Sequence, residues 1–134
     1  MPPTDLQTIL DDNFADWVRA LDQQVTEAAP DHVTVRMALG PHLARVGGIV
    51  SGQALAALAD TPMVLAAVAH ADELKPFATT DLHTQFLRPG RGTAILCRAE
   101  VVRAGRALVF ARAEMTEEDT GKPVASATAT FFAP

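Results

Sequence analysis

The sequence predicts an α+β fold in which a curved antiparallel sheet wraps one buried helix, with a second helix at the N-terminus. Three observations carry this. Residues 51–71 are apolar nearly all round, so a helix there needs cover on several sides. Residues 79–132 read as strands between turn signals, and in the last of them apolar and polar side chains alternate, as a half-covered antiparallel sheet requires. At the front, Leu6, Ile9, Leu10, Phe14, Trp17, Val18 and Leu21 recur at i, i+3, i+4 spacing.

Taken in order, that spacing predicts an amphipathic helix over about 4–20, with Thr4 as its N-cap. Gln24–Ala28 and His32–Leu39 flank Ala29-Pro-Asp31, a turn signal, and read as a hairpin. Residues 40–50 are a loop rich in Gly and Pro. The central helix then covers about 51–71, with Ser51 suited to its N-cap. Pro62 interrupts it, and Thr61-Pro62 is itself a common helix-start pair, so the run could also be two short helices. Pro76 closes the segment. Strands follow at Thr79–Leu87, Thr93–Arg103, Arg106–Thr116 and Val124–Phe132. The turns between them are Arg88-Pro-Gly-Arg-Gly92, Ala104-Gly105 and Glu117–Pro123. In the last strand Ala125, Ala127, Ala129 and Phe131 form one face and Ser126, Thr128 and Thr130 the other. The 134 residues suit a single domain over 1–134.

Composition excludes some classes. A net charge of −5 and a pI near 5.2 argue against a nucleic-acid partner, which needs a basic face. Cys97 is the only cysteine, so no intramolecular disulfide forms and a reducing compartment suits the chain. The start Met-Pro-Pro-Thr-Asp-Leu lacks a signal-peptide layout, and the run 46–59 is too short to span a membrane. The expectation is a soluble cytoplasmic protein with no membrane partner.

Asp60 poses the chemical question. Leaving His70 aside, it is the only formal charge between Arg45 and Asp72. A carboxylate inside an apolar helix is costly unless something pairs with it or uses it.

The segment Gly47-Gly-Ile-Val-Ser-Gly-Gln-Ala-Leu-Ala-Ala-Leu-Ala-Asp-Thr61 resembles the "HGG…L-A-D-T-A" stretch of hotdog-fold acyl-CoA thioesterases, and most closely their phenylacetate-degradation (PaaI-like) subgroup. Thr80-Asp-Leu-His-Thr-Gln-Phe-Leu-Arg-Pro89 resembles that family's "D-L-x-x-x-F-L-R-P" strand. The segment from Val101-Val-Arg-Ala-Gly-Arg106 to Gly121-Lys-Pro-Val-Ala-Ser126 is similar to its last two hairpins. The resemblance spans roughly residues 25–133. It implies a six-stranded antiparallel sheet around the central helix. It also implies homodimers, often paired into homotetramers, with active sites at the dimer interface. The activity it implies is hydrolysis of an acyl-CoA substrate, with no metal and no cofactor beyond the CoA of the substrate.

Thioester hydrolysis needs an activated water or nucleophile and a polarised carbonyl. The resemblance places the family's helix carboxylate at Asp60, as general base or nucleophile. Packing among Ala56, Ala57 and Ala59 would desolvate it and raise its pKa. Ser51 and Gly52, at the helix start, would offer free N–H groups and the positive end of the helix dipole to an oxyanion. Thr79 stands where relatives have a hydroxyl that orients the water or carboxylate; equally, it is an ordinary strand threonine. Gln53 is a candidate partner of the carboxylate or the thioester. Arg88, Arg91, Arg103 and Arg106 are expected to cluster at neighbouring turns, where relatives hold CoA phosphates, with Arg88 and Arg106 the first candidates; solvated turn charges are the alternative.

Ser51 and Asp60 are nine residues apart, so ~13 Å along the axis. No single carbonyl carbon reaches both. If both act, they belong to two chains. Three residues depart from the family pattern: Ser51 replaces the His of "HGG", Gln53 replaces its second Gly, and Arg45 stands where many relatives have an Asn near the thioester carbonyl. Two other readings compete: a non-catalytic module that binds CoA esters or lipids, and an enoyl-CoA hydratase or dehydratase. The last needs a His paired with the helix carboxylate, and His42 and His83 have no partner by spacing. Cys97 reads as a small buried residue.

Overall fold

The computed structural model describes residues 1–134. Two helices, α1 (Pro3–Asn13) and α2 (Asp16–Arg19), precede the hairpin β1 (Gln23–Ala29) and β2 (His32–Ala38). A short 3₁₀ turn at Pro41–Leu43 leads to the long helix α3 (Gly52–Ala71). Four strands complete the chain: β3 (Ala78–Phe86), β4 (Ala94–Ala104), β5 (Leu108–Glu117) and β6 (Pro123–Phe132). All six strands form one antiparallel sheet in the order β1-β2-β4-β5-β6-β3, and α3 packs across it.

Strand alternation explains the packing. Val33, Val35 and Met37 of β2, Ile95, Cys97 and Ala99 of β4, Ala111, Ala113 and Met115 of β5, and the Ala125–Phe131 row of β6 are all buried toward α3. Many of these are alanines, which let helix and sheet approach closely. Leu58, Met63 and Leu65 of α3 are completely enclosed. The helix has the length and apolarity to cross a membrane, yet most of it is buried against the sheet.

The α3 prediction holds in detail at its start. Ser51 is extended (φ −68°, ψ 147°) and its Oγ accepts a hydrogen bond from Ala54 N at 3.2 Å. The helix runs unbroken through Pro62, so the alternative of two short helices is not adopted. Thr61 and Pro62 are both buried, and Thr61 Oγ1 donates to Ala57 O at 3.3 Å. The surrounding sheet holds the proline in a run that propensity alone would break.

The N-terminal prediction needs correcting. The span 4–20 is not one helix, and Thr4 is not its cap. Pro2 occupies the cap position without a side-chain bond, and Pro3 fits the first helical turn. Helix α1 ends at Asn13, Phe14 is extended (φ −83°, ψ 157°), and α2 is a single separate turn. Side chains bond the carbonyls at this end: Asn13 Nδ2 donates to Ile9 O at 3.0 Å, and Arg19 Nη1 donates at 3.1 Å to Asp11 O, which has no partner within the helix.

The two sheet edges are treated differently. At β1, Gln7 of α1 behaves as a surrogate strand: its Oε1 accepts from Val25 N at 2.7 Å and its Nε2 donates to Gln23 O at 3.1 Å. Leu6 and Leu10 bury α1 beside it. The β3 edge has no such cover, and eight of its nine residues are exposed.

One irregularity positions the site. Thr79 pairs with Phe131 but Asp81 pairs with Thr130, so Thr80 is an extra residue in β3. Directly opposed residues share a face. Thr79 (opposite Phe131), Leu82 (opposite Ala129) and Phe86 (opposite Ala125) therefore all face α3. Without the bulge, Thr79 and Leu82 would point to opposite faces.

Candidate active site

Asp60 lies half-buried on α3, and Thr79 reaches it from β3. The Thr79 hydroxyl donates to Asp60 Oδ1 at 3.1 Å, with Oδ2 at 3.4 Å. Asp60 makes no ion pair. Desolvation pushes its carboxyl above the usual range, and the Thr79 hydrogen bond pulls part of the way back.

The carboxylate opens into a hollow of about 360 Å³. Phe14, Trp17 and Val18 wall it on one side, Leu82 on another, and Gln53, Ala56 and Ala57 continue the α3 face. Gln53 thus shares the Asp60 hollow but makes no hydrogen bond to the carboxylate. Phe14, Trp17, Val18 and Leu82 were not singled out by sequence. Three of them belong to the i, i+3, i+4 spacing that predicted only an amphipathic helix, and Trp17 remains 62% exposed.

The start of α3 faces a different hollow, of about 450 Å³. Gly52, Arg45, Arg88, Phe86 and Leu87 line it. Ala54 N is capped by Ser51 Oγ, Leu55 N bonds Ser51 O, and Ser51 N bonds Leu43 O. The Gly52 and Gln53 N–H groups have no acceptor in the helix. Arg45 Nη1 donates to Val46 O at 3.0 Å. The structure therefore brings Arg45, Arg88 and Gly52 together, and places Asp60, Thr79 and Gln53 together elsewhere.

Arg106 does not join Arg88. The turns carrying Arg88 and Arg91 and those carrying Arg103 and Arg106 lie at opposite ends of β4, whose 11 residues extend about 35 Å. The expected cluster of four arginines at neighbouring turns is thus two separate pairs. Arg106 lies toward the Thr79 end, because Leu108 and Ala78 both pair with Phe132.

The loop before β4 is fixed by two carboxylates, one at the end of β5 and one in the β5–β6 turn. Glu117 accepts from Thr120 Oγ1 at 2.7 Å and Arg91 N at 2.9 Å, which together hold its carboxyl below the ordinary range. Asp119 accepts from Thr93 N at 2.9 Å and Thr93 Oγ1 at 3.1 Å. Gly90 O in turn accepts from Val50 N at 3.1 Å, tying this loop to the start of α3. A Cβ on Gly90 would meet Val50 Cγ1 at 2.7 Å, so only glycine fits.

His83 lies on the outer face of β3, opposite Thr128, and His42 lies in the 3₁₀ turn. Neither pairs with Asp60. Cys97 is fully buried, which pushes its thiol well up. No three His, Cys, Asp or Glu side chains converge as a metal site.

A family profile described as "Thioesterase superfamily" matches residues 47–124, from the loop before α3 to the start of β6. The chain belongs to the thioesterase superfamily. This superfamily member is 41% identical over 59 residues to the medium/long-chain acyl-CoA thioesterase YigI of Salmonella typhimurium. That match covers 44% of this chain and only 37% of YigI. Among solved structures, zebrafish thioesterase superfamily member 2 superposes with a TM-score of 0.84 at 25% identity, covering 98% of this chain and 95% of that one. The PaaI protein of the Escherichia coli phenylacetic acid degradation operon superposes at 0.85 with 18% identity, covering 98% and 93%; that likeness is one of fold.

Proposed function

We propose that this protein hydrolyses acyl-CoA thioesters, with Asp60 as the group that activates water. The observation that carries the reading is a half-buried carboxylate whose one partner is a hydroxyl, facing a mostly apolar hollow. A structural carboxylate in such a place would be paired with a cation. A raised pKa suits a general base.

The chemistry follows. Asp60 takes a proton from water as the water oxygen attacks the thioester carbonyl carbon. The tetrahedral oxyanion is held by the free Gly52 and Gln53 N–H groups at a helix start. Collapse breaks the C–S bond, and the thiolate receives the proton from Asp60. The products are a free acid and CoA. Thr79 orients the carboxylate, and Arg45, Arg88 and Arg106 supply positive charge for the phosphates of CoA.

The helix start and Asp60 face separate hollows ~13 Å apart along α3, so we read each as half of a site completed by a second copy of the chain. The uncovered β3 edge supports a homodimer, and pairing of dimers is compatible with it. The name of the YigI relative supports a hydrocarbon acyl group of medium or greater length. A CoA substrate and a lone buried cysteine suit a soluble, cytoplasmic setting.

Free-thiol release from a panel of short, medium, long and aromatic acyl-CoAs tests the reading, with Asp60→Asn as control. Turnover by the wild type that Asp60→Asn abolishes supports it. Turnover unaffected by Asp60→Asn removes the mechanism, and tight binding without turnover favours a non-catalytic CoA-ester module.

A further inference from the structure

A second apolar cavity of about 470 Å³ lies under α1, lined by Ile9, Phe14, Val64, Val68, Leu74 and Phe77. It is separate from the Asp60 hollow, but the two share one residue, Phe14. The α3 positions facing them form a single stripe. Ala57, Asp60 and Thr61 line the first, and Val64 and Val68 the second, at successive i+3 and i+4 steps. The cavities therefore lie end to end along one helix face, with the Phe14 ring at their junction. Phe14 is there because α1 stops at Asn13 and the backbone turns extended before α2. The only charged residue around the second cavity is Lys75, whose Nζ pairs with Glu73 Oε1 at 3.3 Å. A hydrocarbon tail fits these walls, whereas a charged or hydroxylated one would lose its hydration unpaired.

We propose that Phe14 is a chain-length gate. A straight hydrocarbon acyl chain with its thioester at Asp60 fills the first hollow, and chains longer than that hollow reach the second cavity only by displacing the Phe14 ring. Phe14 is thus a specificity residue, acting on how much of the chain is bound rather than on the bond broken. The proposal rests on the thioesterase reading for the position of the thioester.

The test is kcat/KM along saturated straight-chain acyl-CoAs from hexanoyl to palmitoyl, for the wild type, Phe14→Ala, Phe14→Leu and Phe14→Trp. Burying each further CH₂ is worth about fourfold in affinity. Two or more newly buried methylenes should raise the palmitoyl-to-octanoyl ratio of Phe14→Ala by about tenfold or more. Phe14→Leu should move it the same way by less, and Phe14→Trp should lower it. Should Phe14→Ala fail to fold, the leucine and tryptophan variants carry the test. An unchanged ratio in the folded variants overturns the gate, as does a change equal at every chain length.

Binding separates this from failure of the function itself. Trp17, the only tryptophan, walls the first hollow. In Asp60→Asn protein its emission should report acyl-CoA binding without turnover. If the wild type hydrolyses nothing, the thioesterase reading falls, and the titration still decides the gate. Tighter palmitoyl-CoA binding on adding Phe14→Ala supports it; indifference to chain length overturns it.

Discussion

At Asp60 two opposing effects meet in one side chain. Burial favours the protonated acid and the Thr79 hydroxyl favours the carboxylate, with burial the larger. Replacing Asp60 by Asn should therefore lower kcat by about 100- to 10,000-fold, the usual worth of a positioned base, in a thiol-release assay. The same substitution should raise Tm at pH 7. A carboxyl whose pKa is raised by folding stabilises the fold when protonated, at low pH. It loses that contribution as pH rises through the folded-state pKa, so at neutral pH the buried charge is a burden. The Tm advantage of Asp60→Asn should shrink as the pH is lowered. The acidic limb of the kcat/KM profile should lie above the ordinary aspartate value of about 3.9. Thr79→Val, which removes the bond favouring the charged form, should shift that limb to higher pH; a limb that stays put would show that Thr79 has no hold on the titration.

At the scale of elements, α3 and the hairpins were legible because their signals are local: an apolar run, alternating strands, glycines and prolines at the turns. The break at Phe14 was not. The i, i+3, i+4 pattern continues across it, and the bonds that end α1 come from Asn13 and from Arg19, six residues further on. The bulge at Thr80 was equally hidden, since it exists only in the pairing of β3 with β6. So the sequence pointed to Asp60, and the resemblance offered Thr79 as a hydroxyl that orients the water or the carboxylate, while the contact itself depends on a register that no single strand encodes. Helix α1 is a structural member, and its end at Asn13 sets where Phe14 lies. Leu10, 1% exposed, should cost about 2–5 kcal/mol on replacement by Ala, read as a lowered midpoint in chemical denaturation.

For the whole molecule, the proposal of a site shared between two chains makes a prediction that one chain alone could not satisfy. Gly52→Pro removes one free N–H at little cost to α3, because proline suits the first helical position and Ser51 is already extended. Gly52→Pro and Asp60→Asn homodimers should each be nearly inactive. Mixed and allowed to exchange, they form heterodimers with one doubly damaged and one intact site, and should recover about a quarter of the wild-type rate. Recovery that never rises above the two variants alone would place the whole site within one chain. Sedimentation should give at least twice the chain mass. Sequence spacing suggested this division, because ~13 Å of helix separates Ser51 from Asp60. The split of the arginines between the two ends of β4 became visible only with the strand lengths and pairing in place.

The unequal treatment of the sheet edges sets how far such an assembly can grow. Joining chains edge to edge without limit requires two adhesive ends on every chain. Gln7 and α1 occupy one end, leaving only β3. Two molecules that meet through β3 about a two-fold axis consume the last open edge of each, so by this route the sheet doubles once and then stops. A variant with Gln7 and α1 removed would regain the second end, and with it a path to open-ended fibres.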